Sequence, residues 1–485
     1  MQINFGKLFI VGFEGTELNE SISQKLKALD PAGVILYDTN IRELEQVKSL
    51  IRDLKALLGD DLIVSVDQEG GKVERLRKVS PSLPSMQALG RASMLSDSYD
   101  AFDPEPIIQY TKVLASSLSE LGFNMVFAPC VDLATNPLNP IIGTRSLGSC
   151  EDLVSKQSEI IIRTLQDLGI IACAKHFPGH GDTSKDSHLE LPFIEFNLDL
   201  YLKHVKPFIS AINSGVKSIM IAHLLIRNNS SDKKYEFDDL PTSLSRSLIC
   251  DYLRQELGFD GVVVSDEITM KALSFYGNYS QIAHQMINAG NNLIIWNTNL
   301  DDAFNSALYL NQLSDSTLVE NYYKSLNYLV SLKGSQKNTS SVISSNILNL
   351  NTKNLVVNAE QEMISICQKA IKNPLGMSFP SQFDIYVFNH PKLEIEVFRE
   401  VFPQALSVNQ YFSVEDLKPL ESNDKAVLLF SFQLANHPNL QEQIKILKSK
   451  KNNLLIISVD QEDSIADIHL YGCNRAHLRA LSMIR

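Results

Sequence analysis

Short, continuous runs of apolar residues recur along the first two thirds of the chain, separated by stretches with helical periodicity. The runs do not alternate with polar residues, which is typical of parallel strands that are buried on both faces. Several runs follow a glycine that ends a helical stretch, such as Gly122 and Gly258, because glycine readily adopts the left-handed conformation of a helix end. Eight strands are predicted, at residues 8–13, 33–37, 62–67, 125–129, 170–174, 218–223, 261–266 and 293–296.

The alternation of eight strands with helices predicts an α/β fold, namely a (β/α)8 TIM-type barrel over residues 1–333. One predicted helix places Tyr110, Leu114 and Leu118 on a single face at amphipathic spacing. The alternative is a doubly wound open sheet, which usually has fewer strands and a glycine-rich phosphate loop after the first one. Residues 12–15 read GFEG and do not match that loop.

The composition changes after the predicted barrel. Residues 334–354 are rich in serine, asparagine and threonine, which predicts a linker. Beyond them, a helical stretch at 359–371 and apolar runs at 385–388, 426–430 and 454–459 alternate. This pattern predicts a smaller α/β domain over residues 355–485, in which no group of chemically active side chains is apparent.

Composition and charge exclude several classes of function. The 485 residues are 44% hydrophobic and 21% charged, with a formal net charge of -12 and no basic run, so we expect neither nucleic acid nor a membrane as a partner. No apolar run is long enough for a signal peptide or a membrane span, which predicts a soluble, cytoplasmic protein. The six cysteines form no CxxC pair and are interpreted as reduced core residues: Cys130, Cys150, Cys173, Cys250, Cys367 and Cys473.

Polar side chains follow the carboxyl ends of the predicted strands, where (β/α)8 barrels carry their active sites. Asp67 ends the third strand, Lys175 and His176 follow the fifth, and Asp266 ends the seventh. Asp132, Arg145, His223 and Trp296 have comparable positions. The sequence therefore predicts an active site at this end of the barrel.

Several of these residues allow more than one interpretation. Asp266 fits a nucleophile, a base, a metal ligand or the N-cap of the next helix. Asp67 and Arg75 flank a sharp glycine turn and fit either a pair that binds sugar hydroxyls or an anion, or a salt-bridged loop.

The stretch 175–188 holds three histidines and two aspartates. Asp186 and His188 are two residues apart, so in an extended chain both side chains point the same way. The carboxylate would then orient the imidazole for general acid–base catalysis, although a solvated loop pair is the simpler alternative. A metal site is a further alternative, but the spacing matches no standard zinc pattern; its ligands would be His176, His180, Asp182 and Asp186.

Four stretches together resemble glycoside hydrolase family 3, and within it the bacterial β-N-acetylglucosaminidases of the NagZ type. They are DQEGG at 67–71, NPIIGTRSLG at 139–148, the whole of 175–188, and VSDE at 264–267. The resemblance covers about residues 5–330. The chain departs from the family in three places: Glu267 follows Asp266 where a second aspartate is common, Asn291-Asn292 stands where an aspartate is usual, and Lys72 stands where arginine is frequent.

The resemblance implies a role for each candidate residue. Asp266 would be the nucleophile and His188 the acid/base, with Asp186 as its dyad partner. The ligands of the terminal N-acetylglucosamine would be Asp67, Arg75, Arg145, Lys175 and His176.

The implied reaction is the retaining hydrolysis of a terminal β-linked N-acetylglucosamine from peptidoglycan-derived muropeptides, in cell-wall recycling. We expect a monomer that needs no metal or other cofactor and whose partner is a small carbohydrate. The alternatives are another family 3 glycosidase, an N-acetylglucosaminide phosphorylase, and a sugar-binding protein without catalysis.

Overall fold

The computed structural model describes most of the first 371 residues and shorter segments of the remainder. The described residues are 3–95, 102–183, 191–195, 198–227, 239–297, 299–346, 352–371, 383–388, 398, 401–402, 405–411, 426–432, 441–442, 444–445, 447–448, 454–459, 466, 468–470 and 475–483.

Eight parallel strands close into a barrel, so the predicted (β/α)8 fold is confirmed and the open doubly wound sheet is wrong. Around the barrel the strand order is β1-β12-β11-β9-β7-β6-β3-β2, while β4 pairs with β5 and β8 with β10. The strands are β1 (Phe9–Val11), β2 (Gly33–Leu36), β3 (Ile63–Val66), β4 (Gln68–Gly70), β5 (Val73–Glu74), β6 (Met125–Val126), β7 (Ile171–Phe177), β8 (Phe193–Glu195), β9 (Ser218–Ile221), β10 (Leu225–Arg227), β11 (Val262–Glu267) and β12 (Leu293–Trp296).

Helices follow the barrel strands and cover them from outside. They are α1 (Glu20–Leu29), α2 (Leu44–Leu58), α3 (Met86–Ala92), α4 (Glu105–Leu121), α5 (Glu151–Asp167), α6 (Leu198–Asn213), a π-helix (Ser247–Glu256), α7 (Tyr279–Ala289), α8 (Leu300–Gln312), α9 (Ser316–Asn346), α10 (Thr352–Ala370) and α11 (Arg475–Ser482). The predicted face of α4 is buried at Tyr110, Leu114 and Leu118. Gly122 ends this helix with a φ of 95° and donates its N–H to the Leu118 carbonyl.

Two barrel strands contain a bulge at their carboxyl ends. On β7 the register with β9 shifts between Ala174 and Phe177, and on β11 the register with β12 shifts between Val264 and Glu267. A bulge adds a residue to one strand and changes the direction in which the neighbouring side chains point. The shifts fall at Lys175 and His176 and at Asp266, which are predicted site residues.

The last part of the chain contains a parallel sheet of five strands in the order β14-β13-β15-β16-β17. Three of its strands were predicted, and the two edge strands were not. The strands are β13 (Phe383–Phe388), β14 (Ala405–Tyr411), β15 (Val427–Phe432), β16 (Leu454–Val459) and β17 (Ile468–Leu470). Neither edge strand contains a long apolar run, since β14 reads ALSVNQY and β17 reads IHL, which explains why the pattern missed them.

The predicted linker at 334–354 falls largely on helix. Its residues up to Asn346 belong to α9 and its last three to α10. Ala359, Met363 and Ile366 of α10 are buried in the core cluster of the barrel. The bounds 1–333, 334–354 and 355–485 stay a prediction.

Two expectations about the whole chain can be compared with the described residues. Among them, no helix is both long and apolar enough to cross a membrane. Five of the six cysteines lie there, and all five are free thiols; Cys473 lies outside the described residues.

Candidate active site

Buried charges surround Glu69 at the carboxyl end of the barrel. The guanidinium of Arg145 donates from Nε and Nη2 to the two oxygens of Glu69, each at 2.9 Å. The ammonium of Lys175 lies 2.6 Å from Glu69 Oε1 and 2.8 Å from Asp67 Oδ1. The four side chains come from three different loops or strand ends, so the barrel assembles this network.

Glu69 is fully buried, and its ionisation depends on its two partners. Burial alone would raise the pKa of this carboxyl, but the positive charges of Arg145 and Lys175 lower it to about 2. The carboxylates of Asp67 and Glu69 correspondingly raise the pKa of Lys175, although burial opposes this. Glu69 and Lys175 are therefore both charged near neutral pH.

Asp132 orients the neighbouring histidine. Its Oδ2 lies 2.7 Å from His176 Nδ1 and accepts the His176 backbone N–H at 3.0 Å, while Oδ1 accepts the N–H of His180 at 2.7 Å. His176 Nε2 lies 3.3 Å from Arg145 Nη2. Donation from Nδ1 to Asp132 and acceptance at Nε2 from Arg145 would satisfy both contacts.

The turn that follows β7 is held by its neighbours up to Thr183. Asn139 donates from Nδ2 to the carbonyls of His180 and Gly181, at 2.8 and 2.9 Å. A Cβ on Gly181 would lie 2.0 Å from the Leu133 carbonyl oxygen, so only glycine fits there. The described part of the predicted 175–188 stretch is thus tightly packed.

Asp266 and Glu267 follow one another at the end of β11. The Glu267 N–H donates to Asp266 Oδ1 at 2.8 Å. Glu267 Oε1 accepts from the Thr269 N–H, the Thr269 hydroxyl and the Asn297 N–H, at 3.2, 3.0 and 3.0 Å. Glu267 Oε2 is buried and has no hydrogen-bond partner in the structure as described.

The phenol of Tyr37, just after β2, is influenced by the charges of both groups of carboxylates. Burial raises the pKa of its phenol, and the negative charges of Asp67, Glu267 and Asp266 raise it further, whereas Arg75 lowers it. Asp67 directly follows β3 and Asp266 lies at the end of β11, and both are parallel strands of the closed barrel. The nucleophile candidate therefore lies at the same end of the barrel as the charged network.

Six of the eight predicted site residues lie in the described part of the chain, and the structure brings four of these together. Asp67, Arg145, Lys175 and His176 form one hydrogen-bonded set that is joined through Glu69. Arg75 is separate: its guanidinium lies 3.6 Å from Asp38 Oδ2 and 5.7 Å from the centre of the Tyr37 ring. Asp186 and His188, the proposed dyad, lie outside the described residues.

Other residues have roles that differ from the sequence-based expectation. Trp296 packs its ring against Phe9 and Tyr279, between β1 and α7, and is not part of the polar cluster. His223 lies between Ser243 Oγ, at 2.7 Å, and the Glu267 carbonyl, at 3.0 Å. It supports the end of β11.

The sequence analysis missed Glu69 and Tyr37 as site residues, and it placed Asp132 at the end of a strand without giving it a role. A signal for Glu69 was present, because it stands two residues after Asp67, and alternate residues of an extended chain share a face. For Asp132 and Tyr37 the only signal was their position at or just after the end of a predicted strand.

The metal alternative is not supported by the arrangement of its ligands. His180 Nδ1 faces the Thr183 hydroxyl at 2.7 Å, and Asp182 faces Thr135 and His204, so these groups do not converge with His176. Among the described residues one group has ligand atoms within 4.8 Å of one another, namely Cys130, Asp132 and His176. Hydrogen bonds to His176 and His180 already occupy both Asp132 oxygens.

The carboxyl of Glu267 is expected to make stability depend on pH. Burial raises its pKa from 4.5 to about 7, and the charge of Asp266 adds to this. Because the folded pKa is the higher one, the folded state retains the proton longer, and the free energy of unfolding falls between about pH 4.5 and pH 7 by on the order of 3 kcal/mol. Glu267→Gln cannot titrate and should lack this fall, as measured by urea unfolding at pH 5 and pH 8.

A matched control for this comparison is Glu45→Gln, since Glu45 is exposed. It should follow the wild-type dependence on pH. Equal pH dependence of wild type and Glu267→Gln would show that folding does not raise the pKa of Glu267.

Comparisons of the sequence and of the structure with known proteins all indicate the same family. The family model described as the glycosyl hydrolase family 3 N-terminal domain matches residues 2–321. A beta-hexosaminidase from Psychromonas ingrahamii is 33% identical over 289 residues, which cover 59% of this chain and 81% of the relative. One from Histophilus somni is 32% identical over 290 residues, with coverages of 59% and 79%.

Solved structures extend the similarity beyond the barrel. A glycoside hydrolase family 3 beta-N-acetylglucosaminidase from Paenibacillus superposes with a TM-score of 0.81 at 25% identity and covers 99% of this chain and 95% of its own. Native NagZ from Neisseria gonorrhoeae superposes with a TM-score of 0.59 at 25% identity and covers 75% of this chain and 98% of its own.

Proposed function

Because the chain belongs to glycoside hydrolase family 3, we propose that it is a retaining exo-β-N-acetylglucosaminidase. The single observation that carries this proposal is the charged and polar set around Glu69, which lies at the same end of the barrel as Asp266. A neutral, polyhydroxylated sugar is recognised by many hydrogen bonds in fixed positions, and a buried network of this kind supplies them. The beta-hexosaminidase names of its relatives support the same sugar.

Each proposed sugar ligand has a suitable group to offer. The ammonium of Lys175 has three N–H donors, and its contacts with Asp67 and Glu69 use two of them. Asp67 contributes carboxylate oxygens and Arg75 its guanidinium. Arg145 and His176 complete the proposed set of ligands for the terminal N-acetylglucosamine.

The proposed mechanism has two steps at the anomeric carbon. Asp266 attacks this carbon while His188, as imidazolium, protonates the leaving oxygen, and a covalent glycosyl–Asp266 ester forms. Water then attacks the ester, and neutral His188 takes its proton, so the sugar leaves with its configuration retained. Asp186 is proposed to stabilise the cationic form of His188.

The bulge on β11 supports the assignment of Asp266. It falls at this residue, and a bulge changes the direction in which a strand-end side chain points. Glu267 differs from Asp266 in being held by Thr269 and Asn297, and burial raises its pKa to about 7. A Glu267 that retains its proton up to about pH 7 would place no second negative charge beside Asp266 below that pH.

We further propose muropeptide fragments of peptidoglycan as the substrate, and with them a monomeric, cytoplasmic enzyme of cell-wall recycling. The NagZ structure among the similar proteins supports the choice, since the barrel regions are alike. The aglycone would have to lie outside the pocket that holds the terminal sugar.

Turnover of a p-nitrophenyl β-N-acetylglucosaminide tests the proposal, with the corresponding β-glucoside as control. We expect hydrolysis of the first only, release of the β-anomer before mutarotation, and no change on adding phosphate. Preference for the glucoside would contradict the proposed sugar, and initial release of the α-anomer would contradict retention. A glycosyl phosphate among the products would instead identify a phosphorylase.

A further inference from the structure

The hairpin that carries Glu69 rests on residues 83–85. It turns at Gly70 and Gly71, which have φ values of 83° and 58°. A Cβ on Gly70 would lie 2.2 Å from the Pro84 carbonyl oxygen, and one on Gly71 would lie 2.6 Å from Ser85 Cβ. The Gly71 N–H donates to the Leu83 carbonyl at 3.0 Å. The position of this segment therefore fixes the position of the β4–β5 hairpin.

The segment is joined in turn to the C-terminal region. Ser85 is the N-cap of α3, where its hydroxyl accepts the Ala88 N–H at 3.1 Å. The backbone N–H of Ser85 points to His477 Nε2 on α11, at 3.3 Å, and this contact is buried. To accept this N–H, Nε2 must carry no proton, so His477 is neutral with its proton on Nδ1.

Helix α10 holds α11 in this place. Ile364 and Cys367 of α10 form a buried apolar cluster with Ala476 and Ala480 of α11. The ion pair between Glu360 and Arg479 is partly exposed and contributes little to this contact. Helix α10 also packs against α3, whose N-cap is Ser85. Helix α10 is therefore close to both α11 and the segment 83–85.

We propose that His477 is a positioning residue for substrate binding: by accepting the Ser85 N–H, it holds the segment 83–85 and, through it, the hairpin that places Glu69 between Arg145 and Lys175. The C-terminal region would then take part in sugar binding without touching the sugar. This inference rests on the proposed function insofar as the network around Glu69 binds the terminal sugar. His477 itself contacts no reacting group.

Two variants of His477 distinguish the loss of its hydrogen bond with Ser85 from the loss of its imidazole ring. In His477→Gln the amide oxygen can reach about as far as Nε2, whereas in His477→Asn it is one bond too short. In the Asn variant the buried N–H of Ser85 would lack an acceptor, which favours other positions of the segment 83–85 and of the hairpin. The apparent affinity for the sugar falls with the fraction of molecules whose hairpin is in the position that binds sugar. We expect KM for the chromogenic glycoside to rise about fivefold in the Asn variant and to stay within twofold in the Gln variant, with kcat unchanged in both.

Hydrogen–deuterium exchange of residues 68–76 gives a second readout that needs no substrate. Exchange should be faster in His477→Asn than in wild type and close to wild type in His477→Gln. Arg479→Gln is the matched control on the same helix: losing its ion pair with Glu360 should lower stability without changing KM or this exchange.

The outcomes distinguish this inference from the proposed function. Equal exchange and equal KM in the Asn and Gln variants would overturn the role of His477, even if the wild type cleaves the glycoside. Faster exchange in the Asn variant alone would support the role even if another sugar proves to be the substrate. A fall in kcat at unchanged KM would also contradict it, since the inference concerns binding.

Discussion

Replacing Asp266 by alanine is expected to lower kcat by about 10⁴-fold or more, on every β-N-acetylglucosaminide, whatever its leaving group. The loss of a nucleophile removes the covalent route for all substrates alike. Glu267 should not take over, because its Oε1 is held by Thr269 and Asn297 and burial raises its pKa to about 7. Steady-state turnover of an activated aryl glycoside and of an unactivated disaccharide measures the effect.

His188→Ala is the informative control for this variant. General acid catalysis contributes typically about 10²–10⁴-fold and matters most for a poor leaving group. The values of kcat/KM, which report formation of the glycosyl-enzyme, should therefore fall strongly for the disaccharide and little for the activated aryl glycoside. Equal losses on both substrates would argue against His188 as the acid. Substantial turnover by Asp266→Ala would argue against Asp266 as the nucleophile.

The eight barrel strands could be predicted because each is a continuous apolar run, and burial on both faces imposes that composition. The bulges on β7 and β11 could not, because a register shift depends on the partner strand and leaves no mark in the sequence of one strand alone. Yet these bulges fall at Lys175 and Asp266. The sequence thus predicts which strands carry the site but not the direction of the side chains.

Glu69 shows a second limit of the same kind. In the sequence it is one charged residue in a glycine-rich turn, and exposed acidic residues in turns are common. Glu69 can be buried because Arg145 and Lys175 compensate its charge. These two residues are 76 and 106 positions away along the chain and contact Glu69 only when the barrel closes. The contact of His477 with Ser85 spans 392 positions and is equally invisible to local patterns.

Glu69→Gln is expected to lower the free energy of unfolding at pH 7 by about 3–5 kcal/mol. Removing one partner of a buried pair leaves the opposite charge without compensation, and here Arg145 and Lys175 both lose their common carboxylate. The pKa of Glu69 is lowered to about 2 in the folded state, so its contribution is present above about pH 4.5 and is lost as pH falls through 2. The stability difference between wild type and variant should therefore shrink on acidification.

Urea unfolding of wild type and Glu69→Gln between pH 7 and pH 3 measures this difference, and Glu45→Gln, at an exposed glutamate, should change stability by no more than about 0.5 kcal/mol. In the double variant Glu69→Gln, Lys175→Met the second substitution removes one of the two positive charges that Glu69→Gln leaves uncompensated. The double variant should therefore lose less free energy of unfolding than the sum of the losses in the two single variants. Additive losses would mean that Lys175 does not depend on Glu69 and that Asp67 alone compensates its charge. Sub-additive losses together with a raised KM would mean that the charges which stabilise this end of the barrel also bind the sugar.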